Sequence, residues 1–513
     1  MLLIRNCSPH QACSLPAELY LRILTYLDYR SLLKCAQVCT TFNEFVSNTT
    51  SLQYTIELAV AGQLDNMDCP LAASEKLTQL KKHQKAWRDV KWSREYEIKM
   101  SDGDFWELYG GVLGVSTARN TFIFHCLASD LRNIQETTWE IEPDPKIPII
   151  RDFTMDPSQD LFVILEIPNW FIQQEHYNIH IHFRSLTNGK NHPKACEGRK
   201  VTHRFDESTP EVWFDMQVFG HLILVFMAGA TCPEVFIWNW QTGDLLCNLY
   251  GDDICTSALL SDEWLVVGIT DEYGPPSIVT VNFLREGTSR CQFDELDTKG
   301  SFSYPSFAGK SWFNGIQIRC DPGPLWNLQP RPSSAFYTDP KEFVFVVSLG
   351  IGWGRSGRHT YNCTHIISSS YLLSLAESSA NEERPWNTWA AKRTQFFLPR
   401  CIHSDVWVCF VSGKKHVFAA IPKAGQFSAV LVDINQLPLR RMDEEKKSYL
   451  DDDAVKPKDF LRKLFDEPVE TSMSFMSNTM SLEDSHPHSE VLCSEDNIII
   501  VDVLCGNYRV LVF

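Results

Sequence analysis

Apolar positions along this chain follow two different periods, and the change falls near residue 100. Between residues 14 and 48 they recur at helical spacing. Leu19, Ile23, Leu24 and Leu27 share one helical face after Ser14-Leu15-Pro16, with the proline in the first turn, where its missing N–H is harmless. Asp28 breaks the run, and Leu32, Leu33, Ala36 and Val38 form a second stripe. Thr41 and Glu44, in capping-box spacing, open a third helix whose apolar side holds Phe42, Phe45 and Val46. A further helix is expected over 51–64, on Leu52, Ile56, Leu58 and Ala59. Another runs from Leu71 to Trp87, its Lys76, Lys81, Lys82, Lys85 and Arg88 on a solvated face.

Beyond residue 104 the period drops to two. Short apolar runs such as Thr121–Leu127, Leu161–Ile167, Leu222–Met227, Trp264–Ile269, Phe343–Leu349 and Tyr371–Leu375 alternate with turn residues. Two stretches, 179–189 and 235–244, share an alternating strand followed by a polar turn. Looser copies at 278–283, 371–375, 429–434 and 508–513 give intervals of about 43 to 60 residues, with two longer gaps, near the period of a four-stranded propeller blade. These features predict a multidomain chain: a small all-α module, a helical linker, and a large all-β domain of six to eight propeller blades. The apolar strand at 507–513 would complete the ring instead of leaving an exposed edge. Residues 436–490 depart from the pattern. Their acidic runs and Ser/Met/Thr-rich composition predict a partly disordered surface insertion, with a short helix at 461–465.

Composition narrows the function. The net charge of −17 would repel a phosphate backbone, so nucleic acid is an unfavoured partner. No run approaches the ~20 apolar residues of a membrane span, and residues 1–4 are too short for a signal-peptide core. The 17 cysteines are scattered singly and read as small buried apolar residues in a reducing compartment, the cytoplasm or nucleus. No metal or cofactor is expected. His180 and His182 share one face of a strand without an evident third ligand, and Gly352 to Gly357 spells G-x-G-x-x-G before an extended segment where a nucleotide site would need a helix.

One segment carries a specific resemblance. Leu15-Pro16-Ala17-Glu18-Leu19, then Ile23-Leu24 and Tyr26-Leu27, Leu32-Leu33, Val38-Cys39 and Phe42, closely resembles the F-box over about 35 residues, with Thr40 and Thr41 a mild departure after Val-Cys. Lys85-Ala86-Trp87-Arg88 and the strand-rich remainder extend the likeness to fungal F-box proteins that end in a divergent WD-like propeller. The resemblance implies a tail over 1–12, an F-box at 13–50, a linker at 51–100 and a propeller at 101–513. It implies a substrate receptor of an SCF-type (Skp–cullin–F-box) ubiquitin ligase, itself not an enzyme. A Skp-type adaptor would bind through Leu15, Pro16, Leu19, Ile23, Leu24 and Leu27, with Leu32, Leu33, Val38 and Phe42 divided between that interface and the module's core. An unidentified protein client would bind the propeller, where Arg151, Arg184, Arg355, Arg358 and Arg400 are candidates for reading an acidic or phosphorylated segment. The alternative is a propeller enzyme or small-molecule sensor whose F-box controls its own turnover.

Overall fold

The computed structural model describes residues 15–168, 176–205, 212–229, 232–270, 274–286, 289–296, 299–323, 334–354, 359–378, 382–401, 410–423, 426–441, 455, 458–482 and 485–513. Its helical part comprises α1 (Ala17–Leu24), α2 (Tyr29–Ala36), α3 (Thr40–Asn48), α4 (Thr50–Ala61) and α5 (Ala73–Asp89). Asp28 does more than break a stripe: its carboxylate caps α2, accepting from the Ser31 N–H at 2.7 Å. The capping box expected at Thr41 and Glu44 does not form. α3 starts one residue earlier, after an extended Cys39 with no side-chain cap bond. Gly62 ends α4 in the left-handed region (φ 67°), where a glycine carries no Cβ penalty.

Among the described residues, the strands form seven mainly antiparallel sheets and one two-stranded ribbon, so the propeller has seven blades. The first four strands of blades 1 to 6 follow chain order outward from an inner strand, beginning at Trp106–Tyr109, Ile150–Asp156, Trp213–Phe219, Ile254–Leu259, Ser311–Arg319 and Val411–Ser412, and blades 3 and 4 gain a parallel fifth strand, Arg290–Gln292 and Glu383–Arg384, from the blade that follows. Blade 7 takes Glu490–Cys493, Asn497–Asp502 and Asn507–Val512 from the C-terminus and its outer strand, Arg94–Lys99, from before blade 1. Arg94–Lys99 therefore belongs to the ring, although it falls within the 51–100 stretch expected as linker. Joining the two ends of the domain in one sheet closes the ring without an open seam.

The core is divided by blades as well. Seven apolar clusters each join one blade to the next: Phe122 and Phe153 between blades 1 and 2, Phe183 and Trp240 between 2 and 3, and so around to Leu113 and Ile499 between 7 and 1. This is why the strands read as nearly continuous apolar runs: both faces of a blade are covered.

Two strand expectations change. Tyr371–Leu375 lies in a helix, Ser369–Ser378, because Leu372, Leu375 and Ala376 bury one face at spacings of three and four instead of two. Met476–Leu482, inside the expected 436–490 insertion, is the outer strand of blade 6 and pairs with Gln426–Asp433 from Phe427 to Asp433. Its Met476, Met480 and Leu482 turn to the core, so a modest apolar content suffices for one face. Residues 442–454 lie outside the described residues.

Candidate functional site

α1 to α3 close a small core of their own. Leu24, Leu32 and Val46 are buried with Leu52, Ile56 and Val60 of α4, and Leu27 and Phe42 pack half-buried against them. On the other side the module leaves large apolar side chains in water: Leu15, Leu19, Ile23, Leu33 and Val38 are between 42% and 64% exposed, and Pro16 and Tyr26 are exposed with them. A patch of this kind on so small a unit is the signature of a surface that a partner covers. The expected adaptor set therefore divides. Leu15, Pro16, Leu19, Ile23, Leu33 and Val38 lie outward. Leu24, expected at the interface, faces inward because it sits 100° around the helix from Ile23, on the side that meets α2 to α4; Leu32 is fully buried.

The linker helices do not hang between two domains. They are built into one face of the propeller by contacts the sequence did not announce. Each blade is an up-and-down meander, so its first-to-second and third-to-fourth connections emerge on one face and all others on the opposite face. α4 and α5 meet only connections of the first kind. Tyr54 donates to the Ala335 carbonyl (3.1 Å), Asn435 donates to Val60 (2.8 Å), and Gln63 to Asp65 pair as a ribbon with Phe336 to Thr338. Lys76, expected in solvent, is buried, pairs with Asp65 at 2.9 Å and donates to the Asn66 carbonyl at 2.8 Å. Trp87 stacks on Phe513 at 4.2 Å, with the Lys415 ammonium 4.2 Å from its ring.

At the centre of this joint lies a buried ionic network. Asp496 is 3.0 Å from His83 Nε2 and 2.7 Å from Arg132 Nε, and Arg132 Nη2 reaches Glu495 at 2.7 Å. The Thr338 hydroxyl donates to the same Glu495 oxygen at 2.5 Å. Burial alone would raise the Asp496 pKa, but Arg132 and the His83 hydrogen bond outweigh it and hold the group well below the usual carboxylate range. Burial also lowers His83, against the pull of Asp496.

The described arginines among those expected to read a client are not brought together into one site. Arg184 is engaged by Asp144 at 2.7 Å. Arg151, half-buried at the start of the inner strand of blade 2, lies 5.9 Å from the Phe214 ring of blade 3. Arg400 is half-buried in the connection from blade 5 to blade 6, and Arg355 and Arg358 lie outside the described residues. Inner strands instead converge acidic groups. Glu107, Asp152 and Asp215 come from blades 1, 2 and 3 and Asp321 from just past the inner strand of blade 5; burial first, and then these neighbouring carboxylates, hold Glu107 well above the usual carboxylate range, and Arg319 pairs with Asp215. Burial, chiefly, pushes Asp152 up to about 7. The cavity that reaches Asp321 measures about 20 Å³, room for a water molecule and not for a substrate.

The other motifs resolve into structure. His182 bonds Glu166 at 2.8 Å and His180 bonds Thr202 at 2.9 Å, and no cluster of three metal-ligating side chains occurs among the described residues. Gly352 lies within the strand Val344–Trp353 with the Trp312 ring where a Cβ would be, and the next described element is another strand, His359–Ser368. No described helix is long and apolar enough to cross a membrane.

Fold and site together define a small helical module joined to a seven-bladed propeller. The module is an F-box-like domain: residues 12–58 match the family model described as F-box-like. No curated protein matches the chain. Among solved structures, Hsv2p of Kluyveromyces lactis is similar at 9% identity over 79% of this chain and 89% of that one, with a TM-score of 0.33. Sqt1 of Chaetomium thermophilum is similar at 11% identity over 80% and 81%, with a TM-score of 0.32.

Proposed function

We propose that this chain is the substrate-recognition subunit of an SCF-type ubiquitin ligase, acting in the cytoplasm or nucleus. The observation that carries the reading is the outward patch of Leu15, Leu19, Ile23, Leu33 and Val38 on an F-box-like module whose own core is already closed. Covering a Leu or Ile side chain contributes roughly 1.5–3 kcal/mol, so a few such anchors suffice for a stable contact with a Skp-type adaptor, and through it a cullin. The propeller presents a protein client on the face away from the linker, where Arg151 and Arg400 are the described basic candidates. Ubiquitin transfer is then a matter of proximity: the receptor raises the client's effective concentration at the conjugating enzyme and supplies no chemistry itself.

The test is co-purification of the full chain with a Skp-type adaptor and a cullin, beside a Leu19→Asp/Ile23→Asp variant. Both substitutions fall on exposed positions, so the variant should melt like wild type. Capture of both partners by wild type alone supports the reading. Capture by neither form, or equally by both, removes it.

A further inference from the structure

Each pair of neighbouring blades shares an apolar core, but the one between blades 5 and 6 stops halfway along. On the second strand of blade 5, Val344 and Val346 belong to that core. Side chains alternate along a strand, so the next residues on the same face are Ser348, Gly350 and Gly352. Their neighbours across the sheet are polar as well: Gln317 and Thr364 flank Ser348, and Asn362 stands beside Gly350. A cavity of about 130 Å³ opens here, bounded by these polar side chains, by Phe410 and residues 416–419 of blade 6, and by Glu490 of blade 7. Gln317, Ser348 and Asn362 are half-buried, yet their polar atoms are accessible and have no hydrogen-bond partner among the described residues. An apolar side chain at each place would join the two blades more firmly, as Val344 and Val346 do, so the packing of the ring does not explain them.

The chemistry of these groups selects the ligand. The amides of Gln317 and Asn362 and the hydroxyl of Ser348 each donate and accept, as the hydroxyl groups of a ligand do. No lysine or arginine stands among the described lining residues, and the Glu490 carboxylate disfavours an anion. A cavity of this order takes one small ring, since an engineered one of about 150 Å³ takes up benzene. An aromatic surface lies further along the same face. Trp312 pairs with Gly352, its ring sits where a Cβ of that glycine would be, and it is 38% exposed. Gly352 is four residues from Ser348, about 13 Å at roughly 3.3 Å per residue. From the unpartnered polar groups and the exposed ring beyond them we infer that the cleft between blades 5 and 6 binds a neutral oligosaccharide. One sugar hydrogen-bonds Gln317, Ser348 and Asn362 in the cavity, and the chain runs out across Trp312, which covers the apolar C–H face of a further sugar. The site lies outside the F-box-like module, and its occupancy does not depend on the ligase reading.

The experiment titrates the full chain by calorimetry with chitotriose, mannotriose and maltotriose, with the acidic trisaccharide trigalacturonate as a control. A high-mannose glycoprotein, before and after enzymatic deglycosylation, separates a glycan carried on a protein from a free sugar. Binding of at least one neutral trisaccharide or of the intact glycoprotein is expected, weakened at least tenfold by Gln317→Leu and by Asn362→Leu, with trigalacturonate inert. Neither substitution removes a hydrogen bond within the chain, so both variants should melt no lower than wild type. Trp312→Ala changes an exposed ring and should fold normally while binding at least threefold more weakly. Failure of every neutral sugar and of the glycoprotein to bind means that the cleft holds solvent only and overturns the inference. So does binding that ignores all three substitutions, or that trigalacturonate or the deglycosylated protein reproduces.

Discussion

The outward face of α1 to α3 and the inward face of α4 and α5 lie on one continuous helical segment, yet they are built by opposite rules. The first is apolar, exposed and simple: a handful of Leu, Ile and Val side chains left about half in water. The second is buried and rich in charge, with Lys76, His83, Arg132 and Asp496 locked to partners up to several hundred residues away. An apolar patch can be covered and uncovered by a separate protein without leaving a stranded charge. A buried ionic network adds little net stability, but it penalises every arrangement that leaves one member unpaired, and so suits a contact that must hold one geometry. On the proposed function, the F-box-like module is the exchangeable end of this molecule and the linker its fixed end.

The comparison breaks most sharply at adjacent residues. Leu19→Asp with Ile23→Asp should lower affinity for a Skp-type adaptor about a thousandfold, two anchors at roughly 2 kcal/mol each, while the melting temperature stays within a few degrees. Leu24→Asp, one residue on, should instead unfold the module, because it puts a carboxylate into a core where Leu24 is 2% exposed. Calorimetric binding beside circular dichroism separates the two. If Leu24→Asp folds and merely loses binding, the division of the patch is wrong. At the fixed end, Asp496→Ala strands Arg132 beside Glu495 alone, and the loss should be about 3–5 kcal/mol in denaturant unfolding, with faster proteolysis between α4 and blade 1. Wild-type behaviour in both assays would mean that the network is not what holds the linker.

How legible each end was in the sequence follows the same line. The F-box stands in about 35 consecutive residues, so its motif could be read directly; what the motif could not say was which of Ile23 and Leu24 faces out, since that is decided by where α4 packs. The propeller was legible as a class from its alternating strands. Its blade number was hidden because blade 5 interrupts its meander with the segment 320–343 and the helix Ser369–Ser378, and blade 6 separates its third and fourth strands by residues 434–475. The joint was not legible at all. His83, Arg132, Thr338 and Asp496 come from four places in the chain, and nothing local marks any of them: Lys76 looks like one more lysine on a solvated helix until the ribbon at Gln63 to Asp65 folds over it.

A smaller effect sharpens the contrast within the joint. Asn435→Ala removes the donor to the buried Val60 carbonyl and should cost about 2 kcal/mol by leaving that acceptor unmet. Arg441→Ala removes a half-exposed ion pair to Glu57 and should cost less than about 1 kcal/mol. Paired unfolding curves decide it, and equal losses would show that burial does not set the strength of these contacts.

The smallest expected effect is the dependence of the joint on pH. Burial holds His83 below its ordinary pKa of 6.5, with Arg132 and Lys415 adding to the shift and Asp496 opposing it. A histidine depressed on folding stays neutral in the native state while the unfolded chain takes up a proton below about pH 6.5. The contribution of His83 to stability is therefore complete above that pH and declines as the pH falls. Between pH 7.5 and 5.5 the loss from one such group is at most about 1.4 kcal/mol. Other groups titrate in the same range, so the informative quantity is the difference between wild type and His83→Gln, which cannot be protonated there. Wild type should lose ground to the variant as the solution is acidified, by chemical denaturation at each pH. A gap that stays constant would mean that folding leaves the His83 pKa unshifted, and wild type gaining on the variant in acid would mean that His83 carries its charge inside the joint, paired with Asp496. In that case the network is a double ion pair, and acid should leave the linker docked.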